Sequence, residues 1–295
     1  MKEIAVPCAL NSAFLYVLVA SLGAIIGSFL SVCIYRIPYG RPKGPPNFEE
    51  EESEEEPPQP TQTTPKIGIA NPPRSFCPSC QTQLLWCHNI PILSWLLLRG
   101  KCYFCKVSIS PRYPLVEFLS LICALLSVQM YGFSMTALVI YLFCAALIVI
   151  SFIDIDYYII PDVISLPGTV IGMLLATANH FLHIFEWPLA KDFWTSLIGV
   201  AVGGGGLLLI SELYYRIRKR VGLGLGDVKL LAMVGAFFGF EGAFATIFYG
   251  SLLGSVIGVF LIIFFKRGAS QHLPFGPYLA LGTLIYIFTK RVLFY

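Results

Sequence analysis

Three acidic positions in this chain stand among apolar residues, where a carboxylate is expensive to keep and is therefore a functional candidate. Asp154 closes the run Ile148-Val149-Ile150-Ser151-Phe152-Ile153 and is followed by Ile155-Asp156. Asp227 sits in Gly224-Leu225-Gly226-Asp227-Val228-Lys229, and Glu117 lies just inside another apolar segment. Two carboxylates held close together cannot both ionise easily, so one keeps a proton while the other stays charged. The charged one can take a proton from water, and the protonated one can hydrogen-bond a scissile carbonyl. Asp154 and Asp227 are thus candidates for peptide hydrolysis without a catalytic metal. A proton-coupled transporter would use the same two groups as a relay. Helix capping is the structural alternative, by Asp227 for the segment after it and by Asp162 after Pro161. Gly224 and Gly226 would remove side chains that block the approach of an extended peptide to Asp227.

A second constellation is made of thiols. Cys77-Pro78-Ser79-Cys80 and Cys102-Tyr103-Phe104-Cys105 are two CxxC pairs with 21 residues between them. Four thiolates at this spacing suit a closed tetrahedral zinc site, structural because no coordination position stays open. Disulfides are disfavoured if the loop is cytoplasmic, and a redox CxxC lacks the surrounding βαβ pattern. The other cysteines, Cys8, Cys33, Cys87, Cys123 and Cys144, are scattered, and packing explains them.

The elements that must position these groups are apolar. Hydrophobic residues make up 56% of the 295 and charged residues 13%, against about 25% charged in soluble domains. Eight apolar segments are expected, at 12–34, 114–131, 135–153, 159–181, 194–213, 228–240, 243–265 and 274–289. The longer ones would cross a hydrocarbon core of about 30 Å. The first, from Phe14 to Ile34, is too long for a cleavable signal and reads as a spanning helix.

Basic residues set the orientation. Arg36, Arg41, Lys43, Lys66, Arg74, Arg99, Lys101, Lys106 and Arg112 fall in one loop. Arg216, Arg218, Lys219, Arg220 and Lys229 fall in another, and Lys266 and Arg267 in a third. The positive-inside rule puts these loops in the cytoplasm, both termini outside, and Asp154 and Asp227 at the same depth on the cytoplasmic side. The expected fold is an all-α polytopic membrane protein of about eight transmembrane helices. A small cytoplasmic zinc-binding domain with four cysteine ligands stands between the first two. The divisions are 1–35 for the first helix, 36–113 for the cytoplasmic part and 114–295 for a seven-helix membrane domain.

Residues 40–75 read as a solvated linker, rich in Pro, Gln and Thr and carrying the acidic run Glu49 to Glu56, with too little apolar content to order itself. Glycines four apart, at 199 and 203, at 235 and 239, and at 250, 254 and 258, predict close helix contacts. The partner of this chain is the lipid bilayer. Its basic residues flank apolar runs, and no nucleic-acid surface is indicated.

In order along the chain, these features resemble the type IV prepilin peptidase family, membrane aspartic proteases with a GxGD motif. Gly27-Ser28-Phe29-Leu30-Ser31-Val32-Cys33-Ile34-Tyr35-Arg36-Ile37-Pro38 is similar to the family's first-helix signature. The CxxC pairs flank His88-Asn89-Ile90-Pro91-Ile92-Leu93-Ser94-Trp95-Leu96, and Ser110-Pro111-Arg112-Tyr113-Pro114-Leu115-Val116-Glu117 follows. Asp154 through Pro161-Asp162 and Gly224 through Lys229 match the two aspartate motifs, and Pro274-Phe275-Gly276-Pro277-Tyr278 opens the last helix.

The resemblance implies cleavage of the basic leader of type IV prepilins and type II secretion pseudopilins at the bacterial inner membrane. It also implies methylation of the new amino terminus by S-adenosylmethionine. It assigns catalysis to Asp154 and Asp227, with Asp156 as the nearby competitor and Gly224, Gly226, Lys229 and Asp162 in support. Family versions with the cysteine domain are the bifunctional ones, and a peptidase without methyl transfer is the alternative. No glycine-rich nucleotide fingerprint marks the donor site. Glu117, beside the cysteine domain, is the candidate for it, against an ion pair with Arg112 or another helix-end cation. Ser31 stands where the family usually has Asn, which removes two amide donors.

Overall fold

The computed structural model describes residues 9–44, 77, 79–219, 224–265 and 273–293. The acidic run 49–56, most of the linker, and Lys2, Lys66, Arg74, Arg220, Lys266 and Arg267 lie outside the described residues. The described chain is helical without strands. Its elements are α1 (Ala9–Arg36), α2 (Leu93–Leu97), α3 (Arg112–Tyr131), α4 (Met135–Tyr157), α5 (Asp162–Leu182), α6 (Phe193–Val200), α7 (Gly206–Arg218), α8 (Leu225–Phe265) and α9 (Gly276–Leu293). It falls into two compact units, Met1–Tyr39 with Pro65–Val149 and Gly40–Thr64 with Ile150–Tyr295.

In the first unit α1 packs along α3. Gly23 and Gly27 make this possible: a Cβ on Gly27 would stand 2.6 Å from the Glu117 Cα, and one on Gly23 would stand 2.9 Å from the Ala124 Cβ. The contact carries its own polar bond, because the buried Ser120 hydroxyl donates to the Gly23 carbonyl at 2.7 Å and lies 3.0 Å from the Tyr141 hydroxyl. Hydrocarbon offers no water to such groups, so they pair within the protein.

The second unit is organised by α8. At 41 residues an unbroken helix would reach about 60 Å, twice a hydrocarbon core. Gly239 breaks it, with φ 68° and ψ −164°, a conformation open to glycine and costly for other residues. The two halves of α8 match the expected sixth and seventh segments. Six described helices are long and apolar enough to cross a membrane, α8 being counted once, and Gly276–Thr289 of α9 is a shorter apolar helix.

The predicted glycine contacts are present at α6. Gly199 meets the backbone of Gly235 and Gly203 meets Leu231. Gly239 does more than pack, since its positive φ ends the first half of α8. Between α6 and α7, Ala201–Gly205 widens to a π turn, where α-helical periodicity had indicated one even segment. The Asp192 side chain accepts from the Thr195 N–H at 2.7 Å and caps α6.

Valine at Gly199 is expected to overpack the α6–α8 contact and cost about 1–3 kcal/mol or more, read as a lower thermal midpoint in detergent. Alanine at Gly205, which has no heavy atom within 4 Å of a Cβ, is expected to leave the midpoint unchanged.

Candidate active site and cysteine cluster

Asp154 occupies the last turn of α4, which continues through Tyr157 rather than stopping at 153. Tyr158 then turns left-handed at φ 55°, and its N–H closes back on the Asp154 carbonyl at 2.9 Å. This ends the helix one turn past the aspartate. Pro161 bars an early restart and leads extended chain into α5. The Asp154 side chain is buried. One partner comes from 122 residues away: the Gly276 N–H donates to its Oδ2 at 2.9 Å. That donor is free because it stands in the first turn of α9, where N–H groups have no helical acceptor. A Cβ on Gly276 would lie 2.7 Å from the same oxygen, so glycine is required for the approach.

Asp227 stands in the first turn of α8, with its N–H bonded to the Gly224 carbonyl at 3.1 Å. Gly224 is exposed, and a Cβ there would sit 3.6 Å from the Asp227 Oδ2, so the approach to this carboxylate is open. Gly226 has a different neighbour. A Cβ on it would come 3.0 Å from that of Ile160, so its missing side chain seats the segment leading into α5.

The supporting charges form one bridge. The Lys229 Nζ donates to the Asp162 Oδ1 at 2.7 Å, joining the start of α8 to the start of α5. Asp162 is therefore an ion-pair partner; Pro161 holds the cap position and no side chain caps α5 there. Asp156 is engaged by Lys43, 3.7 Å from its Oδ2, while the Gly44 N–H donates to the Asp156 carbonyl at 2.9 Å. From the sequence, Lys43 counted only among the orienting basic residues and Gly276 only within the motif that opens the last helix. The Pro-Phe-Gly-Pro run before α9 was the available signal for Gly276.

Glu117 is elsewhere, in the first unit. It is buried, and its Oε2 accepts the Ile92 N–H at 2.6 Å. This partner belongs to the loop before α2, where the alternative from the sequence was Arg112 or another helix-end cation. Ile92 is held at φ 61° and ψ −51°, a strained conformation for a β-branched residue that costs about 1–3 kcal/mol.

Cys77, Cys80, Cys102 and Cys105 converge with all four sulfurs within 4.8 Å of one another. The Cys77 and Cys105 sulfurs are 3.8 Å apart, which is about the S···S edge of a tetrahedron with 2.3 Å zinc–sulfur bonds. Each pair is folded alike. Gln81 and Lys106 donate their N–H groups to the carbonyls of Cys77 and Cys102 at 2.8 and 3.0 Å, and both turn left-handed at φ 55° and 58°. Hydrogen bonds from the Thr82 side chain and backbone pull the Cys80 thiol down to about 6, so a thiolate stands ready at neutral pH. The residues fit a zinc ion, held by these four sulfurs, that would cross-link the two turns.

The bacterial peptidase A24 N-terminal domain matches residues 21–131, and the type IV leader peptidase family matches residues 141–259. The prepilin leader peptidase/N-methyltransferase of Stutzerimonas stutzeri is 36% identical over 266 residues, covering 88% of this chain and 86% of that protein. The protein of the same name from Neisseria gonorrhoeae is 34% identical over 280 residues, covering 95% and 92%, and that from Pseudomonas aeruginosa is 34% identical over 263 residues, covering 88% and 86%. No solved structure matches.

Purified chain is expected to carry about one zinc, with release on acidification below the Cys80 value as protons displace the metal. Cys102→Ser should lower the zinc content and Cys144→Ser should not, as read by elemental analysis.

Proposed function

This chain belongs to the type IV leader peptidase family, and from that premise we propose that it cuts the leader from prepilins and pseudopilins with Asp154 and Asp227 and methylates the amine that cleavage exposes. The observation that carries the assignment is the buried Asp154 carboxylate at the end of α4, held by the Gly276 N–H, with Asp227 in the first turn of α8 in the same compact unit. Engagement of Asp156 by Lys43 supports Asp154 as the first aspartate.

In this reading one carboxylate removes a proton from water, whose oxygen attacks the scissile carbonyl. The other donates its proton to the carbonyl oxygen as negative charge develops there. When the C–N bond breaks, the leaving amine takes up a proton and the pair returns to its shared state. The Gly276 N–H holds the Asp154 carboxylate in place, and the Lys229–Asp162 bridge fixes the two helix starts on which the site depends. Gly224 leaves room for the extended substrate. Residues 114–295 serve as the protease part and 36–113 as the cytoplasmic part.

S-adenosylmethionine supplies the methyl group. We assign Glu117 to this half of the chemistry as the residue that holds the Ile92 loop beside the cysteine cluster, with a structural zinc stabilising the two turns. The chain is a multi-pass membrane protein. Its basic loops support an inner-membrane orientation with both termini outside and the aspartates on the cytoplasmic side.

With a prepilin in detergent, Asp154→Asn and Asp227→Asn are each expected to lose about 10²–10⁴-fold in leader cleavage, and Asp156→Asn to retain it. Loss with Asp156→Asn alone would move the first aspartate to that position. Gly276→Ala is expected to slow cleavage by displacing the Asp154 carboxylate. Labelled S-adenosylmethionine added to the cleaved product tests methylation, and its failure beside intact cleavage would leave a peptidase only.

A further inference from the structure

The short helix α2 carries an apolar face left open by the described residues. Leu93, Leu96 and Leu97 are 57%, 56% and 82% exposed, and their spacing puts them on one side of the helix. In a soluble loop such a cluster is a liability. This cluster is rigidly built. On another side of the helix, the Trp95 ring nitrogen donates to the Ile109 carbonyl at 3.1 Å. Gly100, at φ 68°, lies so close that a Cβ would stand 3.0 Å from that ring.

The depth of the cluster is fixed independently. Ile92, directly before α2, gives its N–H to the Glu117 carboxylate at 2.6 Å. Glu117 is five residues into α3, about 7.5 Å along a helix, and α3 is itself a candidate span. At that level α3 exposes Leu115 and Phe118, residues that belong in hydrocarbon. The start of α2 is thereby tied to a point past the end of a spanning helix. Arg99 and Lys101, both exposed, follow the leucines at once, where anionic headgroups would receive them.

We propose that the segment Ile90–Leu97 is a membrane-inserted finger, with Leu93, Leu96 and Leu97 seated among lipid acyl chains and Arg99 and Lys101 at the headgroups. The cysteine cluster is then held on the bilayer surface from two sides, by the finger and by α3, instead of hanging from a tether. Burying the three leucines in lipid offsets the strain at Ile92, and the Glu117–Ile92 bond sets how far the finger enters. This inference does not depend on the catalytic assignment.

The full-length protein would be placed in phosphatidylethanolamine/phosphatidylglycerol vesicles containing a phospholipid with a photoactivatable diazirine in its acyl chain. Crosslinks would be mapped by mass spectrometry. Lipid adducts on residues 90–97, alongside those on α3, are expected. In Leu96→Asp/Leu97→Asp, which alters only exposed side chains, adducts on 90–97 should fall about tenfold because carboxylates are expelled from hydrocarbon, with α3 labelling unchanged as the control for folding. Labelled spans with an unlabelled 90–97 would overturn the proposal. So would adducts on 90–97 that vanish when excess uncleaved prepilin is added, which would make the face a substrate-docking surface. A protein–protein crosslink through 90–97 would assign the face to a second copy and also overturn it.

Discussion

A carboxylate set into a membrane helix has to find its hydrogen-bond donors inside the protein, because hydrocarbon supplies none. Asp154 and Glu117 are both buried and both meet the demand with a main-chain N–H. Asp154 takes that of Gly276 at the start of α9, and Glu117 takes that of Ile92 before α2. Each bond recruits a distant piece of chain, and the placement of the surrounding elements follows. The last helix must begin beside the end of α4, and the loop between the cysteine pairs must reach down to α3.

Glycine is what allows these approaches. Gly276 lets a main-chain N–H come up to a carboxylate that any Cβ would push away. Gly27 does the same for the backbone of α1 against α3 at the level of Glu117. Gly239 solves a different problem, dividing a helix twice too long for the bilayer. Close packing through small residues is the common way for membrane helices to associate when no hydrophobic force drives them together. In this chain the same device also brings polar groups to their partners.

Charge pairs distinguish the aspartates. Asp162 and Asp156 each hold a lysine, Lys229 and Lys43. Asp154 instead takes a main-chain N–H, that of Gly276, and Asp227 stands in the first turn of α8, its own N–H on the Gly224 carbonyl. A paired carboxylate is poorly suited to exchanging protons with water or a carbonyl, since its charge is already committed. The two ion pairs tie separate pieces of chain together, Lys229 joining the start of α8 to that of α5 and Lys43 reaching the end of α4. The cysteine cluster is built on a similar logic, with two matching turns whose left-handed residues, Gln81 and Lys106, aim the sulfurs at one point.

Much of this was legible in the sequence. Apolar runs of spanning length fixed the helices, because hydrocarbon thickness dictates length and composition directly. The two CxxC pairs specified a four-sulfur site, because ligand spacing within a turn is a local property. The acidic residues in apolar surroundings named the candidates. What sequence periodicity could not supply was which distant group would satisfy each of them. That Gly276 donates to Asp154, that Lys229 holds Asp162 where a helix cap was the simpler expectation, and that Glu117 reaches Ile92 and not Arg112 are all pairings across long stretches of chain. Local spacing carries no record of them. They are decided only when packed helices bring particular atoms within hydrogen-bonding distance, and in a bilayer that pairing is obligatory for every buried polar group.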